Sequence, residues 1–388
     1  MINRVLFAAL ALSATARAGA IDPSLPLTLN AGAPRALCAA ANVDARGSEL
    51  SRVELPTHAI PSYRAKLAPP IQQPPAADVN GALVVAHGTG KLSQLDDRGR
   101  VQWTVRVGPD AAASAPIITS GGMRWVLTTA GEVVAVSSDG RVRFRQALPG
   151  LTSVEATLAI PLSSGGAALS SGRQLLTLDQ SGAVLWLVRS DEPLRAVVER
   201  RGEVIAVSAL GRVLHRDGEG DLAESAHFGG RVDVAALLPD LDHLAAVIDE
   251  QKLVIIDLAT GSKRVLFEEP ALTLSSALAI GARGEFRLLG SGLLIGLSPT
   301  GAEEFRSPFP DSTALLAWAL LPPLIDPRGY SAVVLPAAGL SIVSPSGEIE
   351  SVAGSACPEP LRATPIGKGR LALSCRSGLV FAVSGKAQ

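Results

Sequence analysis

The residues of this chain that could do chemistry are few and scattered. Five histidines, His58, His87, His215, His227 and His243, are the candidates for acid–base work or metal ligation. None stands in H-E-x-x-H or another tight ligand spacing, so the sequence holds no local metal motif. His215 lies inside an apolar strand pattern and His87 directly follows one, which is the setting of a core or loop histidine. Asp240, Asp242, Asp249 and Glu250 bracket one apolar strand and read as a solvated loop face rather than a cation cage. There is no G-x-S-x-G elbow and no Walker loop. The prediction is therefore no catalytic residue, no metal and no cofactor. Distant residues can still converge on a site, so the elements that would position them come next.

One short pattern dominates the chain: Gly, a few residues around Leu or Val, then a polar turn ending in Gly. It reads GKLSQLDDRG at Gly99, GEVVAVSSDG at Gly140, GRQLLTLDQSG at Gly182 and GRVLHRDGEG at Gly220. It continues as QKLVIIDLATG at Gly261, GLLIGLSPTG at Gly301, GLSIVSPSG at Gly347 and GLVFAVSG at Gly385. The period is about 40 residues, the length of a propeller blade. The turn has a physical logic. Asp96, Ser137, Asp179, Asp217, Ser298 and Ser344 open it, and Pro299 and Pro345 follow in two copies. Asp, Ser and Pro favour the first positions of a type I turn, and glycine closes it in the left-handed region without steric cost.

Each period has room for four strands. In the unit ending at Gly182 they are read as Val142–Ala147, Ala156–Pro161, Ala167–Ser171 and Gln174–Asp179. The third strands of other units, such as Val204–Ser208 and Leu244–Ile248, are continuous apolar runs. Such runs suit strands covered on both faces, as in stacked blades. This accounts for a mean hydropathy of +0.30 with only 18% charged residues. The prediction is an all-β, eight-bladed β-propeller of four-stranded antiparallel blades, with seven blades as the alternative count. The last unit lacks an outer strand, and Tyr63–Leu67 is a spare one ahead of the first unit. That segment is expected to close the ring.

The termini carry further signals. Asn3-Arg4, the apolar run from Val5 to Ala16 and Ala16-Arg17-Ala18 read as a secretory signal at 1–18. Residues 19–61, rich in Ala and Pro, read as an arm or linker, and 62–388 as the propeller. The product is expected to be exported, periplasmic or extracellular. Arg35-Ala36-Leu37 before Cys38 is not a lipoprotein site, so no lipid anchor is expected. An exported protein can oxidise its three cysteines. Cys357 and Cys375 fall at the same end of neighbouring strands in the last blade and form the favoured disulfide. Cys38 stays open as the alternative partner. Lys+Arg 35 against Asp+Glu 36 leaves no electrostatic footprint for nucleic acid. The protein is expected to be a monomer with protein partners.

Turn and strand together resemble the quinoprotein-type (PQQ-like) repeat, in which a Trp after the turn docks on the neighbouring blade. LDDRGRVQW at Trp103 and LDQSGAVLW at Trp186 fit it; Phe144 and Phe305 stand in at equivalent positions. Val265 or Leu266 follows the Gly261 turn instead. The resemblance has two branches. One implies an eight-bladed oxidoreductase holding PQQ and Ca²⁺ at the axis, whose adjacent-cysteine disulfide this chain lacks. The other implies a non-catalytic scaffold like the BamB-type propeller of outer-membrane assembly, binding proteins through loops and blade edges. Size and the lack of catalytic motifs favour the scaffold. A carbohydrate-binding propeller is a further alternative, disfavoured by 4% aromatic residues. The longest unit, ending at Gly347, carries its extra residues in LLPPLIDPRGY, where Trp318, Pro322, Pro323, Ile325 and Tyr330 could present apolar groups to a partner.

Overall fold

The computed structural model describes residues 36–38, 51, 53–110, 112–151, 157–216, 221–309, 322–335, 339–353, 357 and 359–385. Within these the chain forms eight antiparallel sheets arranged as the blades of a closed propeller, so the count is eight and not seven. Blade 3 shows the pattern: Thr157–Pro161 innermost, then Ala167–Ser171, Gln174–Leu178 and Val184–Arg189 outermost. Its second strand is buried nearly throughout, whereas its outermost strand alternates between half-buried and exposed. Sheet faces in the middle of a blade are covered by both neighbouring blades, which is why these strands are continuous apolar runs.

The repeat seen in the sequence is offset from the blade by one strand. Val142–Ala147, read with the unit ending at Gly182, is the outermost strand of blade 2 and pairs with Glu132–Val136. The strand read as Gln174–Asp179 stops at Leu178, because Asp179 begins the turn. Its Oδ1 accepts the N–H groups of Ser181 at 2.8 Å and Ala183 at 2.9 Å. Asp96 does the same for Arg98 and Arg100. Ser298 and Ser344 accept from Ala302 and Glu348 through their hydroxyls. Gly99, Gly140, Gly182, Gly301 and Gly347 each donate N–H to the residue opening the turn, at 3.0 Å, with φ between 79° and 90°. Gly261 closes a turn one residue longer, from Asp257. The expected turn at Gly220 lies outside the described residues.

Ring closure follows the expectation. The strand Ile60–Lys66 pairs antiparallel with Leu379–Ser384, giving blade 8 the order Ile60–Lys66, Leu379–Ser384, Arg370–Cys375, Pro360–Gly367. The chain ends are thereby joined in one sheet, and neither end blade is left short of its outer strand.

Two features differ from the sequence reading. Blade 1 has five strands, because Ala36–Cys38 adds to the inner side of its innermost strand, Ala76–Asp78. The segment read as an arm at 19–61 also packs on the ring in its described parts. Ser51 donates N–H to Ile325 O at 2.7 Å, and Leu55, 2% exposed, donates N–H to Asp326 Oδ2 at 2.9 Å. The propeller therefore uses residues ahead of Ser62. Burying Leu55 and pairing otherwise unsatisfied backbone groups is the physical reason.

Arginines at the starts of second strands tie blades together. Arg124 of blade 2, 4% exposed, reaches Asp78 Oδ2 of blade 1 at 3.1 Å and Gln94 Oε1 at 3.1 Å. Arg370 of blade 8 donates to Asp97 O of blade 1 at 2.8 Å, across the closing seam.

Candidate partner-binding surfaces

The docking residues sit where neighbouring blades meet. Trp103, on the outer strand Val101–Arg106 of blade 1, abuts Gly140 in the last turn of blade 2 and donates its indole N–H to Ser138 O at 2.9 Å. A Cβ on Gly140 would stand 2.7 Å from Trp103 Cγ. Phe144 abuts Gly182 in the same way, and Phe305 abuts Gly347, where a Cβ would stand 2.6 Å from the ring. Sequence reasoning missed that Tyr63 of the closing strand is the equivalent residue against Gly99. Its signal was a similar interval before a turn glycine, 36 residues against 37 for Trp103. Leu266 abuts Gly301, so an aliphatic side chain serves there. Trp186 is half-buried against the cluster holding Leu175 and Leu214, with the Arg216 guanidinium 5.6 Å from its ring centroid. These aromatics fill blade seams, which leaves them little ring area to offer a ligand.

Cys357 and Cys375 are joined by a disulfide with their Cα atoms 5.5 Å apart, and both are fully buried. Each sulfur is thus taken, and Cys38 is the partner of neither.

The expected partner loop needs correction. Leu324–Ile325 is the innermost strand of blade 7, pairing with Ser331–Leu335, and Ile325 is 0% exposed. Pro323 is buried, Pro322 half-buried, and Trp318 lies outside the described residues. Tyr330 packs against the blade 7–8 core, with the Arg328 guanidinium 4.8 Å from its ring centroid. What looked like a loop is a two-residue strand followed by a tight turn. Asp326 Oδ1 accepts the N–H groups of Arg328 and Tyr330, as Asp78 Oδ1 accepts those of Asn80 and Ala82. The signal was present: DPRG at 326–329 repeats DVNG at 78–81.

The histidines and carboxylates are spread over different blades. His87 is buried in blade 1, its Nε2 2.7 Å from Ser93 Oγ, which lies 2.6 Å from Thr104 Oγ1. Burial pushes its pKa down, more than the Ala68 carbonyl beside it raises it. The acidic group around blade 5 divides between opposite ends of the strand His243–Ile248. At one end Asp242 pairs with Arg200 at 3.0 Å and Arg201 at 3.2 Å, and those guanidiniums hold its carboxyl below the usual range. Asp240 Oδ2 lies 2.8 Å from His243 Nδ1. At the other end Glu250 pairs with Arg231 at 2.5 Å. The carboxylates thus answer arginines and a histidine. No group of three or more His, Cys, Asp and Glu able to hold a metal occurs among the described residues.

One part of this surface differs from the rest of the ring. Arg201 and Leu241 stand in adjacent first turns of blades 4 and 5 with φ of 51° and 63°. Most other turn positions of this kind carry glycine. A non-glycine residue in the left-handed region costs about 1 kcal/mol. Around these turns Arg200, Arg201, Asp240, Asp242 and His243 form a half-exposed polar rim joining two blades, with Arg201 60% exposed. Arginine is among the residues enriched at protein–protein contacts.

The comparisons bear on what such a ring is for. The family described as "Outer membrane protein assembly factor BamB" matches residues 39–265. No curated protein sequence matches the chain. Among solved structures, BamB from Moraxella catarrhalis is 17% identical, with a TM-score of 0.62 over 84% of this chain and 99% of its own. The computationally designed Ika8 protein is 13% identical, with a TM-score of 0.63 over 85% of this chain and 99% of its own. At these identities the two structures speak for the fold alone.

Proposed function

Because the chain belongs to the BamB family of PQQ-like propellers, we propose that it is a non-catalytic scaffold that binds protein partners in outer-membrane protein assembly. The family match over residues 39–265 is the observation that carries this reading. Residues 1–18 act as a signal peptide, and the protein works in the periplasm without a lipid anchor. The placement of Cys38 supports the last point. Its backbone pairs with Ala77 on the inner side of blade 1, whereas an acylated cysteine would begin the mature chain and reach the membrane.

The axis supports a scaffold over an enzyme. The quinoprotein branch of the resemblance holds its cofactor at the axis, and here the inner edge of blade 1 carries the chain's own Ala36–Cys38 strand. The half-exposed rim of Arg200, Arg201, Asp240, Asp242 and His243 is the partner surface we assign. The test is affinity capture from envelope extracts by the wild-type protein and by Arg201→Glu. Wild type retains outer-membrane assembly proteins, and Arg201→Glu retains at least tenfold less, since 1.4 kcal/mol is tenfold in affinity. Equal capture by both would remove the rim from the proposal. Capture of none by either would remove the scaffold itself.

A further inference from the structure

The outermost strand of blade 3, Val184–Arg189, reads V-L-W-L-V from Val184 to Val188, a palindrome centred on Trp186. The strand ends its sheet, so one row of its backbone N–H and C=O groups has no strand partner among the described residues. On its outward face Leu185 is 59% and Leu187 38% exposed. The positions flanking the docking residue are polar or charged in four other blades: Gln102 and Thr104 in blade 1, Arg143 and Arg145 in blade 2, Glu304 and Arg306 in blade 6, Ser62 and Arg64 in the closing strand. In blade 5, Val265 and Phe267 flank Leu266, but Arg264 and Glu268 bound that run and it is no palindrome. Polar and charged side chains on an open edge keep it from pairing with another chain. In blade 3 both are leucine.

We propose that this edge pairs with the same edge of a second copy of the chain, antiparallel and in register at Trp186, to form a two-fold dimer. The palindrome selects the occupant. In an antiparallel pair, residues directly opposite share a face of the sheet. Centred on Trp186, the pairing sets Leu185 against Leu187 of the second copy, and Val184 against Val188, on both sides of the two-fold axis. Arg189 then falls opposite Ala183 at the end of the ribbon. Sliding the register by two residues leaves one Leu–Leu contact in place of two, with Leu185 against Arg189 in one direction and Leu187 against Ala183 in the other. A heterologous strand would need its own apolar alternation; a second copy supplies it by symmetry. Because the contact is rim to rim, both ends of each ring stay open, and the Arg201–Asp242 rim remains available to other proteins. The ribbon is short, so the dimer is weak and concentration-dependent. This departs from the monomer expected from the sequence.

Sedimentation of the full mature chain across a wide concentration range tests the proposal. Wild type shifts from monomer to dimer with concentration. The Leu185→Arg, Leu187→Arg double variant, which gives blade 3 the arginines blade 2 carries, stays monomeric with unchanged thermal unfolding. Register is tested in a Cys38→Ser background. A mixture of Leu185→Cys and Leu187→Cys proteins forms a disulfide-linked dimer on mild oxidation, and neither protein does so alone. A wild-type chain that is monomeric throughout, or a dimer that survives the arginine substitutions, would overturn the proposal. Crosslinking of either single variant as efficient as that of the mixture would overturn the register.

Discussion

Trp103 and Gly140 hold blades 1 and 2 together through one another: a Cβ on Gly140 would stand 2.7 Å from the indole Cγ, and the turn residue Ser138 accepts the indole N–H at 2.9 Å. Gly140 is thus required twice, by its φ of 83° and by the ring against it. We expect Gly140→Ala to destabilise by about 2 kcal/mol, combining left-handed strain with the displaced ring. Trp103→Ala should cost about as much, by loss of half-buried ring area and one hydrogen bond. The double variant should cost less than the sum, because both substitutions open one seam. Equilibrium denaturant unfolding reads all three.

The disulfide closes blade 8 on its own inner strands, with Cys357 and Cys375 separated by 18 residues. In the chain-entropy account a loop of that size contributes about 3 kcal/mol. Reduction, or Cys357→Ser with Cys375→Ser, should lower the melting temperature by several degrees. An unchanged melting temperature after verified reduction would show that the link adds no stability.

The buried contact of Arg124 with Asp78 joins blades 1 and 2 near the axis. Asp78 also caps its own turn by accepting from Asn80 and Ala82. Arg124→Met removes the cation and leaves the buried Asp78 carboxylate without its guanidinium. About 3 kcal/mol should be lost, more than from Arg141→Met, whose guanidinium pairs with Asp139 in the open and is 77% exposed. Replacing both members, Arg124→Met with Asp78→Asn, should recover part of the loss.

How far the sequence showed this architecture depends on how local each signal is. The turns were legible because Asp or Ser at the start and Gly at the end are chosen by backbone geometry within four residues. The closing strand was legible because a missing outer strand and a spare one could be matched. Ala36–Cys38 was not: a strand of three residues has no periodicity, and its partner Ala76–Asp78 lies far along the chain. Ile325 was misread for a similar reason. Its strand has two residues, and the prolines ahead of it resemble a loop. The rim of Arg201 and Asp242 was not legible either, because their approach is created by the packing of blade 4 on blade 5. The acidic residues near it were noticed, but the arginines answering them come from the preceding blade.

His87 predicts an acid limb. Burial lowers its pKa below the ordinary value of about 6.5, so the neutral imidazole is the folded form. The unfolded chain binds the proton more readily, so stability rises with pH here. The contribution is complete above pH of about 6.5 and is lost as pH falls through the lowered folded value. His87→Gln, which keeps a polar group near Ser93 but does not titrate, should flatten the melting temperature over that window. Parallel curves for the two proteins would contradict this role.

The central claim is that the ring is a scaffold for proteins. In-cell crosslinking of the tagged full chain, followed by mass spectrometry, tests it most directly. The account predicts crosslinks to outer-membrane assembly proteins, with sites at Arg200, Arg201 or their neighbours in blades 4 and 5. A chain that crosslinks to no protein, and instead purifies with a quinone or another small molecule at its axis, would contradict it.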